Sequence, residues 1–170
     1  MNLKTRLTIV GIVFLVLSFI FAYSSTIQVN QSDAASLSES FKNIDTSVVG
    51  IFVNNVQIAL LEFIPGFGPG FSAYSSYSTG LVLSAVAQTN SSIGVTGLEL
   101  YFGLLLTPIY WLEFACYSLA VEESIAVVVS FRTRDFRTRE WKWLLGSLLF
   151  VVATLFVSAR LEVGLINLVK

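Results

Sequence analysis

Four polar residues interrupt one apolar run. Asn54, Asn55, Gln57 and Glu62 lie in GIFVNNVQIALLEFIPGFGPGFSAYSSYSTG, which fills residues 50–80. On a helix advancing about 100° per residue, Asn55 and Glu62 come within roughly 20° of each other, with Asn54 flanking that face and Gln57 pointing elsewhere. A charged carboxylate deep in a bilayer costs about 2.5–3.5 kcal/mol on insertion scales. Glu62 is therefore expected to face protein or water, to sit near the interface, or to carry its proton. A carboxyl beside carboxamides suits a proton, a cation or a polar substrate. The plainer use is hydrogen bonding between helices, worth about 0.6 kcal/mol per contact. A second acid, Glu113, follows Pro108 by five residues, with Tyr110 and Tyr117 at positions that share its face on a continuous helix. Their hydroxyls are placed to hydrogen-bond the carboxyl. The candidate intramembrane cluster is therefore Asn54, Asn55, Glu62, Glu113 and Tyr117. Glu99, Glu122 and Glu123 add acids without a basic residue nearby in sequence, which argues against a structural ion pair within the membrane.

Several chemistries drop out. The chain has no histidine, so the commonest metal ligand and the usual neutral-pH base are missing. Its single cysteine, Cys116, lies in an apolar run and reads as a small buried hydrophobe. No nucleophile–base pair, metal cluster or cofactor-binding motif is visible, and the chain reads as non-enzymatic and cofactor-free. A net charge of −1 gives no electrostatic case for nucleic acid.

The elements that must position these residues are membrane spans. Of 170 residues, 55% are hydrophobic and 12% charged, with a mean hydropathy of +0.77. Soluble domains carry about 25% charged residues, so the solvent for most of this chain is lipid. The expected fold is an all-α, polytopic membrane protein, one domain of about five transmembrane helices. Span one covers residues 7–23, about 26 Å of helix and near the lower limit for crossing; it is read as an uncleaved signal anchor. A polar segment follows at 24–46, exposed to solvent and partly helical around 34–41. Spans two and three, at 48–64 and 72–88, are separated by a Gly/Pro turn over 65–70. The fourth helix, 98–131, is too long for one straight crossing and is expected to kink at Pro108. A basic loop at 132–142 precedes span five at 143–158. With the N-terminus cytoplasmic, seven of the ten basic residues fall inside and the C-terminus lies outside.

Other features concern surfaces. Ser72, Ser76, Gly80 and Ser84 recur every four residues, a smooth stripe that suits close helix packing within the bundle or in a homo-oligomer. The loop repeats itself, Phe131-Arg132-Thr133-Arg134-Asp135 then Phe136-Arg137-Thr138-Arg139-Glu140. Arg132, Arg134, Arg137 and Arg139 suit an anionic leaflet or a cytoplasmic protein partner. Asn30 and Asn90 begin the two N-x-[ST] triplets, both on the expected outer side, where glycans attach. The turn lacks a following Lys-Ser/Thr and is no phosphate-binding loop.

Two pieces together resemble the stage II sporulation protein M family of integral membrane proteins. One is the run from Ile51 through Asn54 and Asn55 to Leu60, with Gly66, Gly68, Gly70 and Gly80 after it. The other is Pro108-Ile109-Tyr110-Trp111-Leu112-Glu113, similar to the family's Pro-His-Gly-x-Leu-Glu, from which it departs at Ile109 and Tyr110. The resemblance covers roughly residues 48–130. It implies a non-enzymatic membrane scaffold; sporulating bacterial members hold cell-wall hydrolases at the membrane during engulfment. The alternative is a small transporter or channel component that moves protons or cations over Glu62 and Glu113.

Overall fold

The computed structural model describes residues 1–90, 94–132 and 138–169, without the side chains of 41, 42, 138, 139 and 169. The described residues form seven helices and no strand: α1 (Leu3–Ser25), α2 (Gln31–Lys42), α3 (Val48–Glu62), α4 (Gly68–Thr89), α5 (Gly97–Leu105), α6 (Pro108–Arg132) and α7 (Thr138–Val169). Local chemistry sets the starts. Asn2 caps α1 by accepting from the Thr5 amide at 2.8 Å. Ser47 accepts from the Gly50 amide at 3.0 Å, and Thr96 with Glu99 closes a capping box on α5.

The fold is all-helical, and α1, α6 and α7 are long and apolar enough to cross a membrane. That is three such helices where five were expected. α3 has only 15 residues, about 22 Å of helix. α4 has 22 residues, but its serines, glycines and tyrosines keep it below the apolarity of a membrane span. α6 is the central helix, with 61% of its apolar window buried against 22% for α1 and 28% for the last helix.

Three further expectations are corrected. There is no long helix kinked at Pro108. Leu106 and Thr107 turn back on Gly103 and Leu104 with bonds of 3.2 and 2.9 Å, and α6 starts afresh at Pro108. Proline disfavours a helical residue before it but fits the first turn of a helix. The polar segment is not simply solvated. Ser24 and Ser25 end α1 in buried positions. α2 packs on α4 with Ala34 and Ser38 buried, and Ser38 Oγ accepts from Thr89 Oγ1 at 3.0 Å. Finally, the last helix does not stop at 158 but continues through the apolar tail.

Two cores hold the bundle. Phe21, Tyr101, Tyr110 and Phe114 pack with Leu17 between α1, α5 and α6. Tyr110 and Phe114 stack at 4.3 Å between ring centroids. Ala59, Phe63, Cys116, Ala120, Val151 and Leu155 join α3, α6 and α7. α1 and α6 run antiparallel: Arg6 meets Glu122 and Glu123, and Ser18 meets Tyr110.

Candidate functional site

α3 places Asn55 beside Glu113 of α6. Asn55 Nδ2 donates to Glu113 Oε1 at 2.6 Å, and Ser158 Oγ of α7 donates to the same oxygen at 3.1 Å. One carboxylate oxygen thus ties three helices together. Asn54 is exposed and donates to Asn55 Oδ1 at 3.3 Å, which orients the second amide. Glu162, half-buried on α7, is close enough to repel Glu113. The tyrosines fall differently from the expectation. Tyr110 turns to α1, donating to Ser18 Oγ at 2.7 Å and pairing with the Tyr101 hydroxyl at 3.2 Å. Tyr117 packs against the aliphatic core and, among the described residues, makes no hydrogen bond to Glu113.

Glu62 lies one turn before the Gly/Pro turn and is 1% exposed. Ser72 of α4 lies beside it, but among the described residues no hydrogen bond is made by Ser72 Oγ. Glu62 Oε2, Ser72 Oγ and Ser118 Oγ are buried without a hydrogen-bond partner among the described residues. Glu62 and Glu113 both act electrostatically on Cys116 and Tyr117. The two carboxyls therefore flank one stretch of α6, with Asn55 on Glu113 alone.

A second polar cluster joins α1, α6 and the start of α7. Arg6 Nη1 donates to Glu123 Oε1 at 2.9 Å and to Glu122 Oε2 at 3.2 Å, while Nη2 donates to Glu140. Arg6 is 4% exposed. Its guanidinium lies 5.4 Å from the Trp143 ring. Ser147 Oγ adds a bond to Glu123 Oε1 at 2.7 Å. This overturns the expectation that Glu122 and Glu123 lack a basic counterpart. The partner lies 116 residues away in sequence, outside any local reading, and only the antiparallel register of α1 against α6 brings it in. A signal did exist: Arg6 directly precedes an apolar run that must run back past the acids of α6.

The turn between α3 and α4 is anchored on α6. Gly66 N donates to Ser124 Oγ at 3.2 Å, and Ser124 Oγ donates to the Ile64 carbonyl at 2.7 Å. Gly66 sits at φ 78°, which glycine adopts freely. Ser72, Ser76, Gly80 and Ser84 are all buried. A Cβ on Gly80 would collide with Ser24 and the Phe21 carbonyl, and Ser84 Oγ donates to the Ile27 carbonyl at 2.5 Å. The stripe thus seats α1 and the chain that follows it. Arg132 is exposed at the end of α6. Arg134 and Arg137 lie outside the described residues, as does the side chain of Arg139. Asn30 is exposed. Asn90 is half-buried and donates to the Val86 carbonyl at 2.8 Å.

Among the described residues, no group of His, Cys, Asp and Glu has the makings of a metal site. Chemically, the interior offers hydrogen-bonded carboxyls, one guanidinium and unpaired hydroxyls. Such groups can join helices or carry protons. Comparison with protein families, with curated proteins and with solved structures finds no match.

Proposed function

We propose that this chain is a non-enzymatic integral membrane scaffold or complex subunit of the kind implied by its resemblance to the stage II sporulation protein M family. The observation that carries the reading is the Asn55–Glu113 hydrogen bond. The two segments on which the resemblance rests lie far apart in sequence, and they meet through their most distinctive polar residues. Asn55, Glu113 and Ser158 bond one another across α3, α6 and α7, and Glu123 bonds Ser147, as in a protein whose interior holds shape and whose surface recruits partners. The protein sits in the cell membrane with five spans, N-terminus cytoplasmic and C-terminus outside. Support for five comes from the α3–α4 hairpin. Its turn is bonded to Ser124, toward the end of α6 that meets Arg6, while Ser84 is bonded at the opposite end of α1. α4 therefore reaches as far as α1 does, with α3 as the shorter arm of 15 residues. The partners are membrane or peripheral proteins, or further copies of the chain. Crosslinking in native membrane followed by pull-down tests this; recovery of the monomer alone counts against it.

A second reading is a transporter or channel component that moves protons or cations. It is favoured by Glu62, buried about two helical turns along α3 from Asn55, with a carboxyl oxygen that has no hydrogen-bond partner among the described residues. Reconstituted vesicles decide it. A proton or cation flux abolished by Glu113→Gln or Glu62→Gln replaces the scaffold reading; no flux above empty vesicles removes the transporter.

A further inference from the structure

A groove of about 370 Å³ opens between the end of α3, α6 and the start of α7. Its walls are apolar, among them Leu60, Phe63, Val127, Phe131, Trp141 and Leu144. It lies at the end of the bundle where Arg6 meets Glu140. A dry apolar cavity does not hold water, and beside a bilayer it fills with hydrocarbon. Two cations adjoin its lining residues in sequence. Phe131 is followed by Arg132 and Trp141 by Lys142, both exposed, and among the described residues neither makes an ion pair. The nearby acids Glu123 and Glu140 are already committed to Arg6. An apolar slot, a tryptophan in its wall and two exposed cations beside its lining in sequence suit an anionic lipid: chain inside, phosphate outside the slot. A neutral zwitterionic lipid would satisfy the slot but not the cations. A soluble protein segment has no reason to prefer a slot that opens beside the hydrocarbon.

We propose that this groove binds one hydrocarbon chain of an anionic phospholipid whose phosphate is held by Arg132 and Lys142. The test uses the full chain reconstituted in bilayers, with tryptophan fluorescence quenched by phosphatidylglycerol brominated on its chains. Phosphatidylcholine brominated in the same way, at the same mole fraction, is the reference. The wild type should be quenched at least about twofold more by the anionic lipid, and Trp141→Phe should remove most of that difference. The exposed double variant Arg132→Gln/Lys142→Gln should reduce the ratio to near one. Leu144→Trp, which fills the groove and keeps the charges, should lower retention of phosphatidylglycerol in native mass spectrometry several-fold. Glycerol phosphate added in solution should not compete. Equal quenching by the two lipids overturns the proposal. So does a ratio that survives the double variant, or competition by glycerol phosphate as strong as by the lipid.

Discussion

Arg6→Gln is expected to destabilise the bundle by about 3–5 kcal/mol, the cost of breaking a buried ion pair from one side. The size follows from what the substitution leaves behind. Glu123 keeps the Ser147 hydroxyl at 2.7 Å, and Glu140 keeps the Met1 amine at 3.3 Å. Among the described residues Glu122 keeps nothing charged: it is 1% exposed, Arg6 is its ion-pair partner, and its Oε1 has no hydrogen-bond partner. One carboxylate is then buried without compensation, which is the situation behind that range. Arg6→Lys should cost less, about 1.5–3 kcal/mol, the worth of one hydrogen bond to a charged group. A single ammonium cannot reproduce a planar fork that reaches Glu122 and Glu123 through one nitrogen and Glu140 through the other. The control replaces the four side chains of the cluster by uncharged ones: Arg6→Met, Glu122→Leu, Glu140→Leu and Glu123→Gln, the last still accepting from Ser147. Buried ion networks replaced in this way are often neutral or gain stability, so this variant should fall within about 1 kcal/mol of the parent or above it. The assay is reversible unfolding in mixed micelles of rising dodecyl sulfate fraction, followed by far-ultraviolet circular dichroism. A shift below about 1 kcal/mol for Arg6→Gln, the range of an exposed pair, would refute the description of this cluster as a buried clamp.

The same unfolding measurement checks three smaller expectations. A double-mutant cycle of Asn55→Ala with Glu113→Ala should give a coupling of about 0.6–1.7 kcal/mol, the range for hydrogen bonds between membrane helices; zero coupling would mean that the 2.6 Å contact carries no energy. Gly80→Val should cost about 1–3 kcal/mol by forcing α1 off α4, whereas Gly11→Ala, with open space around it, should be neutral or stabilising by up to about 1 kcal/mol. Gly66→Ala should cost about 1–2 kcal/mol because an L-residue resists its positive φ, and Gly70→Ala, unobstructed, should not.

What the sequence disclosed and what it hid divide along sequence distance. The helical class, a break within the Gly/Pro stretch 65–70, which the structure narrows by starting α4 already at Gly68, and the buried stripe of α4 are written in local composition, in glycine, proline and the four-residue recurrence of small side chains. Pro108 was legible as a disturbance, but a proline says only that one backbone bond is missing. Whether the chain kinks or stops depends on the residues before it, and here Leu106 and Thr107 close tight turns that end α5. The facing of Asn55 and Glu113 could be inferred as a condition, that α3 packs on α6, but not the third partner Ser158, one of two serines in the long apolar α7. Arg6 was hidden for a different reason. A basic residue at the head of a first apolar helix is ordinarily explained by topology, and that explanation competes with burial until the register between α1 and α6 is known.

α4 shows why hydropathy and packing can read one helix in opposite ways. Each serine and glycine that lowers its apolar score is a position where another helix comes close. Gly80 admits Ser24 and the Phe21 carbonyl, Ser84 bonds Ile27 and Ser72 lies beside Glu62. Its larger side chains, Tyr74 and Tyr77, are exposed on the other side. A helix whose neighbours are helices gains by being small, because close backbone approach replaces the apolar side-chain surface that lipid would otherwise require. A helix whose neighbour is lipid must be apolar, and α1, mostly unburied along its length, is uncharged throughout residues 7–23. Composition therefore separates the lipid-facing helices of this protein from the helix they are packed against. Gly80→Val distinguishes the two cases: tolerated if α4 were a lipid-facing helix of low hydropathy, costly if its small residues are the seat of α1.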